Sequence, residues 1–592
     1  MAIATIPALV LDRAATHPDR TILRRKDRGI WKSMTWSELA ARMLQVAEGL
    51  RTSGIGPGDR VCILSETTPQ WVFADLGVLS AGAVSVGIYP TADADLTAEI
   101  LAHCGARLVF AENEEQLDKI LQARPRCPKL ERIVIFNMKG LRDLSEPGCE
   151  SFDTFLGRVR DGSADLPALD PHRTATLIYT VGTTGAPKGS MLTHHNLLCQ
   201  VGNAAKLMNL RAGDERLAFL PMSHAIERVL GLYLSLYSGV ISNYVESADT
   251  VAEDLREAKP TVFLAPPHVW ERFHSRITVA SASAGLMQRL LYRWAMAAGA
   301  REAGQRLAGR SPSSWTALHA RVLRWLVLGN VLRELGLVRL RVGLIGASPV
   351  SPELVRWLMA LGLDVQEFYG QTECGGLTAL MPREAIRSGC VGKPVPYAEI
   401  ALAPDNEILV RGDHVFVGYW DDAERTSRAL RDGWLHTGDV GSLEGGYLRV
   451  VGRAEDLVTT VSGVCVTATE IERELKLSPY IADAVVLGEQ REFLACLVMT
   501  DPDVLEGWAQ QNNIAFTTYS ALVRAEPVRD LIRREIAVAS SRLSASVEIR
   551  SFRMIEEKLA PDDPELTPMM KLRRAIVGEK YRGLIEDMYS RP

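Results

Sequence analysis

Short apolar segments alternate with helix-like segments through the first part of this 592-residue chain. The apolar segment RVCIL at 60–64 precedes the helix-like TPQWVFADLGVLSAG, and the apolar segments ARLVF and RIVIF follow further along. Strands that alternate with helices usually form mainly parallel sheets whose faces are covered by those helices. The sequence therefore predicts an α/β fold.

The chain is too long for one compact core, so at least two domains are expected. A boundary is predicted after residue 452, because shorter helices and strands follow the turn-rich segment at 431–450. The chain then divides into a large N-terminal domain at 1–452 and a small α+β domain at 453–592, which is of ordinary domain size.

The stretch from about 276 to 338 has a different pattern. Arginines recur there among Leu, Trp and Ala at roughly helical spacing, which predicts a helical insertion in the N-terminal domain. Two interpretations stay open. The helices pack on the main domain, or they associate with a membrane surface or an acyl chain.

Composition excludes several classes of function. The net charge of −5 provides no basic field for nucleic acid. The nine cysteines include no CxxC pair, so neither a zinc site nor a thioredoxin-type site is predicted, and scattered thiols fit a reducing cytoplasm. The N-terminus lacks the basic start of a signal peptide, and no apolar stretch is long enough to span a membrane. We expect a cytoplasmic protein, with peripheral membrane contact left open.

One loop has the composition of a phosphate site. The segment YTVGTTGAPKGSML runs from Tyr179 to Leu192, between a predicted strand at 175–180 and a predicted helix at 193–208 that Thr193 would cap. Its glycines allow backbone N–H groups to surround phosphate oxygens, and its threonines and lysine add further donors. A Walker A loop is excluded, because it would end in Gly-Lys-Ser/Thr. A glycine-rich loop alone fits a structural turn equally well.

The order of residues in this loop resembles the phosphate loop of the adenylate-forming superfamily, which includes acyl-CoA synthetases, adenylation domains of peptide synthetases and luciferases. That family usually has Tyr-Thr-Ser-Gly-Thr-Thr-Gly-x-Pro-Lys-Gly, and this chain departs from it at Val181. The missing hydroxyl predicts weakened binding rather than inactivation. The resemblance implies a catalytic Lys188 and nucleotide contacts from Thr180, Gly182, Thr183, Thr184 and Gly185.

Further motifs of that family follow in order. The segment LPMSHAIER at 220–228 resembles the one that places a histidine near the substrate carboxylate, which implies His224. The segment at 341–373 reads as strand, turn, helix and strand, with Ser351 suited to the helix N-cap and Gly362 to the position after its end. Its loop and its YGQTE motif resemble the adenine site, which implies nucleotide binding by Gly346, Ala347, Ser348, Tyr369, Gly370, Gln371 and Thr372.

The resemblance also assigns roles within these motifs. Tyr369 would stack on the base, Thr372 would bond the α-phosphate, and Glu373 would hold Mg²⁺ and act in catalysis. Thr180 is the second residue implied on the Mg²⁺ side.

Three later motifs complete the resemblance. DGWLHTGD at 432–439 implies that Asp439 accepts from both ribose hydroxyls, and GRAED implies that Arg453 reaches the ribose or phosphate and that Glu455 is the hinge. ELTPMMKLRR implies that Lys571 binds the carboxylate and the α-phosphate in the first half-reaction. The segment at 457–472 departs from the family, because Thr459 and Ser462 replace a usual Lys and Gly on the CoA side.

Together these motifs imply ATP-dependent activation of a carboxylic acid as an acyl-adenylate, followed by thioester formation with CoA. The insertion, the segment at 260–273 and LTPMMKLRR look most like long-chain fatty acyl-CoA synthetases, which implies ATP, Mg²⁺ and CoA as cofactors and a fatty acid as substrate. Two alternatives stay open. One is an acyl-AMP ligase that loads a separate acyl carrier protein, and the other is an adenylate- or lipid-binding protein with little catalysis.

Overall fold

The computed structural model describes residues 3–158, 167–180, 186–453, 456–461, 463, 465–543, 548–560, 563–567 and 572–590. Up to residue 193 its helices and strands are, in chain order, α1 Ile6–Thr16, β1 Thr21–Asp27, β2 Ile30–Thr35, α2 Trp36–Thr52, β3 Arg60–Leu64, α3 Pro69–Ser80, β4 Val84–Ile88, α4 Ala94–Cys104, β5 Leu108–Ala111, α5 Glu114–Ala123, β6 Arg132–Ile135, β7 Cys149–Ser151, α6 Phe152–Leu156, β8 Thr174–Thr180 and β9 Lys188–Thr193.

From residue 194 to 453 the elements are α7 His194–Leu207, β10 Glu215–Ala218, α8 Leu234–Ser238, β11 Ile241–Tyr244, α9 Val251–Ala258, β12 Val262–Ala265, α10 Pro267–Ser283, α11 Leu286–Leu307, α12 Ser314–Leu323, α13 Gly329–Glu334, β13 Val342–Gly346, α14 Pro352–Leu361, β14 Val365–Tyr369, β15 Ala379–Leu380, β16 Lys393–Pro394, β17 Glu399–Leu402, β18 Glu407–Arg411, α15 Ala423–Ala429, β19 Leu430–Arg431, β20 Trp434–Glu444 and β21 Tyr447–Arg453. Two π-helical segments also occur, at Ile226–Tyr233 and Arg324–Leu328.

The remaining elements are β22 Leu457–Thr459, β23 Cys465–Thr467, α16 Ala468–Leu475, β24 Ile481–Leu487, β25 Leu494–Thr500, α17 Pro502–Gln511, α18 Tyr519–Arg524, α19 Glu526–Ser540, β26 Ile549–Met554, α20 Arg574–Lys580 and α21 Arg582–Ser590. β22 and β23 pair as a hairpin, and β24, β25 and β26 form a separate three-stranded sheet. This smaller part therefore mixes helices with short sheets.

Two large sheets form the frame of the N-terminal part. The seven-stranded sheet has the order β7-β6-β5-β3-β4-β8-β9, and only its β8–β9 pair is antiparallel. The nine-stranded sheet has the order β16-β15-β14-β13-β12-β10-β11-β1-β2 and is parallel from β14 to β1. The predicted α/β fold class, with its smaller C-terminal domain, is confirmed.

A third sheet of the N-terminal part is antiparallel throughout and was not predicted. Strands β17 to β21 form this five-stranded sheet. Gly445 and Gly446 connect β20 to β21 with φ angles of 58° and 78°. A two-residue hairpin turn with positive φ at both positions favours glycine, and its twist matches that of the flanking strands.

The predicted direct connection from the Gly/Thr loop to a helix is wrong. The loop instead leads into β9, which pairs antiparallel with β8, and α7 begins only after it. The outer edge of β9 is also occupied, because Met191 N–H donates to Gly418 O at 2.9 Å and Trp420 N–H donates to Gly189 O at 2.8 Å. The predicted cap of α7 is confirmed, since Thr193 Oγ1 accepts from Asn196 N–H at 3.1 Å.

Two buried ion pairs tie the large sheets together through the π-helix at Ile226–Tyr233. Arg228 and Asp75 are fully buried and form an ion pair, and Tyr233 Oη donates to Asp75 Oδ2 at 2.7 Å. Asp75 lies on α3, which packs on the seven-stranded sheet. The preceding residue, Glu227, pairs with Arg216 of β10 in the nine-stranded sheet at 2.6 Å. Adjacent side chains of one helix therefore bind to α3, which packs on one large sheet, and to β10 of the other.

The C-terminal part contacts the N-terminal part at α14. Ser351 Oγ accepts from Glu353 N–H at 3.2 Å, as predicted for the N-cap, and donates to Glu474 Oε1 of α16 at 2.9 Å. Glu474 is buried, and its Oε2 has no hydrogen-bond partner among the described residues. Burial raises the pKa of Glu367 on β14 to about 8, although the Arg473 guanidinium of α16 opposes this shift.

No helix among the described residues combines the length and the apolar character that a bilayer-spanning helix requires.

Asp75→Ala should lower the free energy of unfolding by about 3–5 kcal/mol, because it leaves the buried Arg228 guanidinium without its counter-charge. The midpoint of urea unfolding, followed by tryptophan fluorescence, measures this change. Glu424→Ala is the matched control, because it breaks an ion pair in which both Glu424 and its partner Arg428 are exposed. Equal midpoints for the two variants would show that the buried pair does not stabilise the fold.

Candidate active site

Four of the residues named from the sequence meet at one carboxylate. Tyr369 Oη donates to Asp439 Oδ2 at 2.7 Å, and Gln371 Nε2 donates to the same oxygen at 2.6 Å. Arg453 Nε lies 3.6 Å from the other oxygen, Asp439 Oδ1. The hairpin of β20 and β21 creates this approach, because its register places Asp439 opposite Arg453. One oxygen is thus anchored by two neutral donors while the other faces a cation.

Burial determines the electrostatics of this group. Desolvation raises the pKa of the Asp439 carboxyl, although Tyr369, Arg453 and Gln371 favour its charged form. Desolvation, together with the neighbouring Asp439, raises the pKa of Tyr369 well above its ordinary value. Tyr369 therefore stays a neutral donor at physiological pH, and its ring is held in one orientation.

A second group lies at the other end of the same short loop. Glu373 follows Gln371 by two residues, and its Oε1 accepts from Tyr419 Oη at 2.8 Å. Lys188 Nζ lies 5.8 Å from the centre of the Tyr419 ring, close enough for a cation–π interaction. The pairing of β9 with the segment that contains Tyr419 brings these groups together. Lys188 and Glu373 thus share one aromatic neighbour.

Tyr419 was not predicted from the sequence as a site residue. It lies in a loop without periodic pattern, and it reaches the site through contacts with residues far away in the chain. Its pKa is raised by burial and by Glu373, so its hydroxyl donates to that carboxylate. The preceding Gly418 has a φ of 136°, and Asp421 two residues further on has a left-handed φ of 50°, so the backbone is constrained on both sides of Tyr419.

The predicted adenine loops leave two adjacent parallel strands at the same edge of the nine-stranded sheet. β13 ends at Gly346 and β14 at Tyr369. A Cβ on Gly346 would lie 2.4 Å from Phe368 O, and one on Gly370 would lie 2.5 Å from Gly376 O, so neither position has room for a side chain. Ala347 has a left-handed φ of 68°, which turns the chain sharply after β13. Ligands of open α/β sheets bind at such carboxyl ends of strands.

Two further predicted residues have defined places in this loop region. Ser348 is half-buried in the turn after β13, and Thr372 begins the 3₁₀ turn at Thr372–Cys374. They lie beyond the ends of β13 and β14, at the sheet edge from which Tyr369 and Gln371 reach Asp439.

The hairpin of β8 and β9 places Thr180 opposite Lys188. Both residues therefore flank the phosphate-type loop where it leaves and re-enters the sheet. Six predicted residues lie outside the described residues, namely Gly182, Thr183, Thr184, Gly185, Glu455 and Lys571.

His224 lies in the turn that leads into the π-helix. Its Nδ1 accepts from Ile226 N–H at 3.2 Å, and Arg228 N–H donates to its backbone oxygen at 3.0 Å. The buried ion pairs of Glu227 and Arg228 fix the helix that follows it. π-helical turns are rare and are frequent at functional sites.

Family models match nearly the whole chain. The AMP-binding enzyme model matches residues 10–420, and the model for the AMP-binding enzyme C-terminal domain matches residues 455–592. The chain is 32% identical to the long-chain-fatty-acid–CoA ligase FadD15 of Mycobacterium bovis, with 99% of this chain and 97% of that protein covered. It is 28% identical to the human long-chain-fatty-acid–CoA ligase ACSBG1, with 99% and 85% covered.

Solved structures share the fold. The adenylation domain of the carboxylate reductase GR01_22995 from Mycobacterium chelonae matches with a TM-score of 0.78 and 22% identity, over 99% of this chain and 91% of that chain. The anthranilate CoA ligase AuaEII in complex with anthranoyl-AMP matches with a TM-score of 0.72 and 20% identity, over 97% of both chains. At these identities the likeness concerns the fold alone.

Asp439→Asn should raise the unfolding temperature at pH 7. A raised carboxyl pKa means that the folded state disfavours the charged form, so the native state is destabilised once the pH exceeds the ordinary aspartate range. The gain should shrink as the pH falls through that range, because the wild-type carboxyl then becomes neutral. Calorimetric scans at pH 4 and pH 7 measure this difference.

Asp413→Asn is the control, because its side chain is 77% exposed, so removing its charge relieves no burial. A gain for Asp439→Asn that is absent, or equal at both pH values, would contradict the assignment of a desolvated charge.

Proposed function

The chain belongs to the AMP-binding enzyme family, and we propose that it is a long-chain fatty acid–CoA ligase. It activates the fatty acid with ATP as an acyl-adenylate and then transfers the acyl group to CoA. The observation that carries this proposal is the convergence of Tyr369, Gln371 and Arg453 on Asp439, one short loop away from Glu373. The full-length likeness to relatives named long-chain-fatty-acid–CoA ligases supports the substrate class.

The Asp439 group suits a ribose. A carboxylate that is anchored through Oδ2 keeps Oδ1 and its remaining lone pairs as acceptors for two vicinal hydroxyls. Arg453 beside Oδ1 can reach the ribose or the phosphate. The ring of Tyr369, held by its hydroxyl, offers a face on which the adenine stacks.

The first half-reaction converts the fatty acid carboxylate, which is a poor electrophile, into a reactive acyl-adenylate. The fatty acid carboxylate attacks the α-phosphorus of ATP, the bond to the β-phosphate oxygen breaks, and pyrophosphate leaves. Lys188, Lys571 and the N–H groups of the loop at 181–185 stabilise the charge that develops on the phosphate oxygens. Thr372 bonds the α-phosphate, and His224 lies on the carboxylate side.

The donor set fits Mg²⁺. Glu373 offers a carboxylate oxygen and Thr180 a hydroxyl oxygen, which are hard ligands of the kind that Mg²⁺ prefers. Within the described residues no cluster of three or more His, Cys, Asp or Glu could hold a metal alone. Bound Mg²⁺ would neutralise phosphate charge. The Tyr419 hydroxyl holds the Glu373 carboxylate in place through its hydrogen bond.

In the second half-reaction the CoA thiolate attacks the acyl carbonyl carbon, and AMP leaves with the electron pair of the broken C–O bond. We assign the movement between the two steps to residues 453–592, with Glu455 as the hinge. The end of β21 at Arg453 and the start of β22 in another sheet at Leu457 support this boundary. Rotation about it would carry Lys571 out of the site.

A carrier-loading acyl-AMP ligase is the second candidate. It is favoured by Thr459 of β22, because the family usually has a lysine at this position on the CoA side. The backbone N–H of Thr459 donates to Glu489 Oε2 at 2.7 Å. Its product would be an acyl carrier protein thioester instead of acyl-CoA.

The eight free cysteines in the described part of the chain support a reducing, cytoplasmic location for either reaction.

AMP release from ATP and Mg²⁺ should require both a long-chain fatty acid and CoA. Asp439→Ala should raise the KM for ATP at least tenfold, whereas Asp413→Ala, which removes an exposed carboxylate, should leave it unchanged. Pyrophosphate exchange without any acyl-CoA, combined with transfer to an added acyl carrier protein, would replace the first proposal by the second. No reaction with any acid would overturn both.

Lys571→Ala should slow acyl-adenylate formation by about 10²-fold or more, because a positioned charge in the transition state is lost. Thioester formation from supplied acyl-AMP should stay within about twofold of wild type, because in our assignment Lys571 has left the site by that step. Lys558→Ala, which removes an exposed lysine of the same domain, is the control. An equal loss in both half-reactions would contradict the rotation.

A further inference from the structure

Exposed apolar side chains are concentrated in one region. Among the described residues, ten of the nineteen exposed large hydrophobic residues lie between 286 and 326. Trp315 and Trp325 are 80% and 76% exposed, so both indoles stand almost free in water. The docking face consists of Leu286, Met287, Leu290, Leu291, Trp294, Trp315, Leu318, Val322, Trp325 and Leu326. Exposure of so many apolar residues in one place marks an interaction surface.

The architecture makes this face continuous. The second half of α11 packs on α14 so closely that a Cβ on Gly299 would lie 2.2 Å from Ala360 O. The first half has no such cover, and its exposed apolar residues recur at intervals of three and four along the helix. α12 exposes residues 315, 318 and 322 at the same kind of spacing. The rings of Trp294 and His319 lie 5.4 Å apart and connect the two helices.

The charges beside the docking face are predominantly positive. Between residues 285 and 333 the chain has eight arginines and one acid, Glu302, whereas the net charge of the whole chain is −5. Glu302 is paired with Arg324 at 2.8 Å. Arg289, Arg293 and Arg321 are exposed and form no ion pair within the described part of the chain. The surface around the apolar side chains is therefore basic, and its complement is anionic.

We propose that the docking face binds the surface of an anionic lipid bilayer. Tryptophan suits the boundary between headgroups and acyl chains, because its indole is apolar with one polar N–H, and arginine binds lipid phosphates. A second copy of the chain fits poorly, because pairing two such faces would bring like charges together. The helices of the docking face would lie along the bilayer surface, as amphipathic helices do.

Sedimentation with vesicles tests this docking independently of the proposed function, because neither ATP nor fatty acid is present. The full chain should bind vesicles of 3:1 phosphatidylcholine and phosphatidylglycerol at least tenfold more tightly than pure phosphatidylcholine. The variant Trp315→Ser/Trp325→Ser should lose at least tenfold of that affinity, and Arg289→Glu/Arg293→Glu a similar factor. Both variants change exposed residues, and thermal unfolding verifies that each is folded.

The matched control is Ile30→Ser/Val538→Ser, which removes two exposed apolar side chains outside the docking face and should bind like wild type. Equal binding by wild type and Trp315→Ser/Trp325→Ser would overturn the proposal. Equal affinity for neutral and anionic vesicles would overturn its electrostatic part. A dimer in sedimentation velocity that Trp315→Ser/Trp325→Ser converts to monomer would assign the face to a second copy instead.

Discussion

The arrangement of the two large sheets depends on consecutive buried charges in the π-helix. Arg228 binds Asp75 of α3, which packs on the seven-stranded sheet. Glu227 binds Arg216, which belongs to the nine-stranded sheet. Removing one partner of such a pair is costly, because the other is left charged in an apolar interior. The π-helix is therefore fixed from both sides, and with it the turn that contains His224.

The same principle operates at the candidate site around a single carboxylate. Burial of the Asp439 carboxylate is unfavourable. The hydroxyl of Tyr369, the amide of Gln371 and the nearby Arg453 offset part of this desolvation cost. The carboxylate must keep some acceptor positions open for the ligand, so the protein cannot fill all of them with its own hydrogen-bond donors. Some stability is given up at this position for binding, which is a common relation between stability and function.

Features that depend on neighbouring residues in the chain were predicted from the sequence. The β/α alternation correctly indicated mainly parallel sheets, and Thr193 and Ser351 cap the helices that the sequence assigned to them. β9 was missed because its sequence KGSMLT lacks the apolar/polar alternation typical of a strand, although its partner β8 is close in the chain. Tyr419 was missed because it reaches the site through contacts with residues more than two hundred positions away. The meeting of Tyr369 with Asp439 follows from tertiary contact, so spacing alone could not reveal it, and only the family resemblance named both residues.

The joint between Ser351 and Glu474 has a consequence for any movement of the C-terminal part. Ser351 caps α14 by accepting a hydrogen bond and reaches Glu474 by donating one, so α16 can detach without unravelling the helix end. Among the described residues Glu474 Oε2 has no hydrogen-bond partner, and on detachment water would hydrate it. Hydration of Glu474 would therefore offset part of the free energy that separation of α16 from α14 would cost.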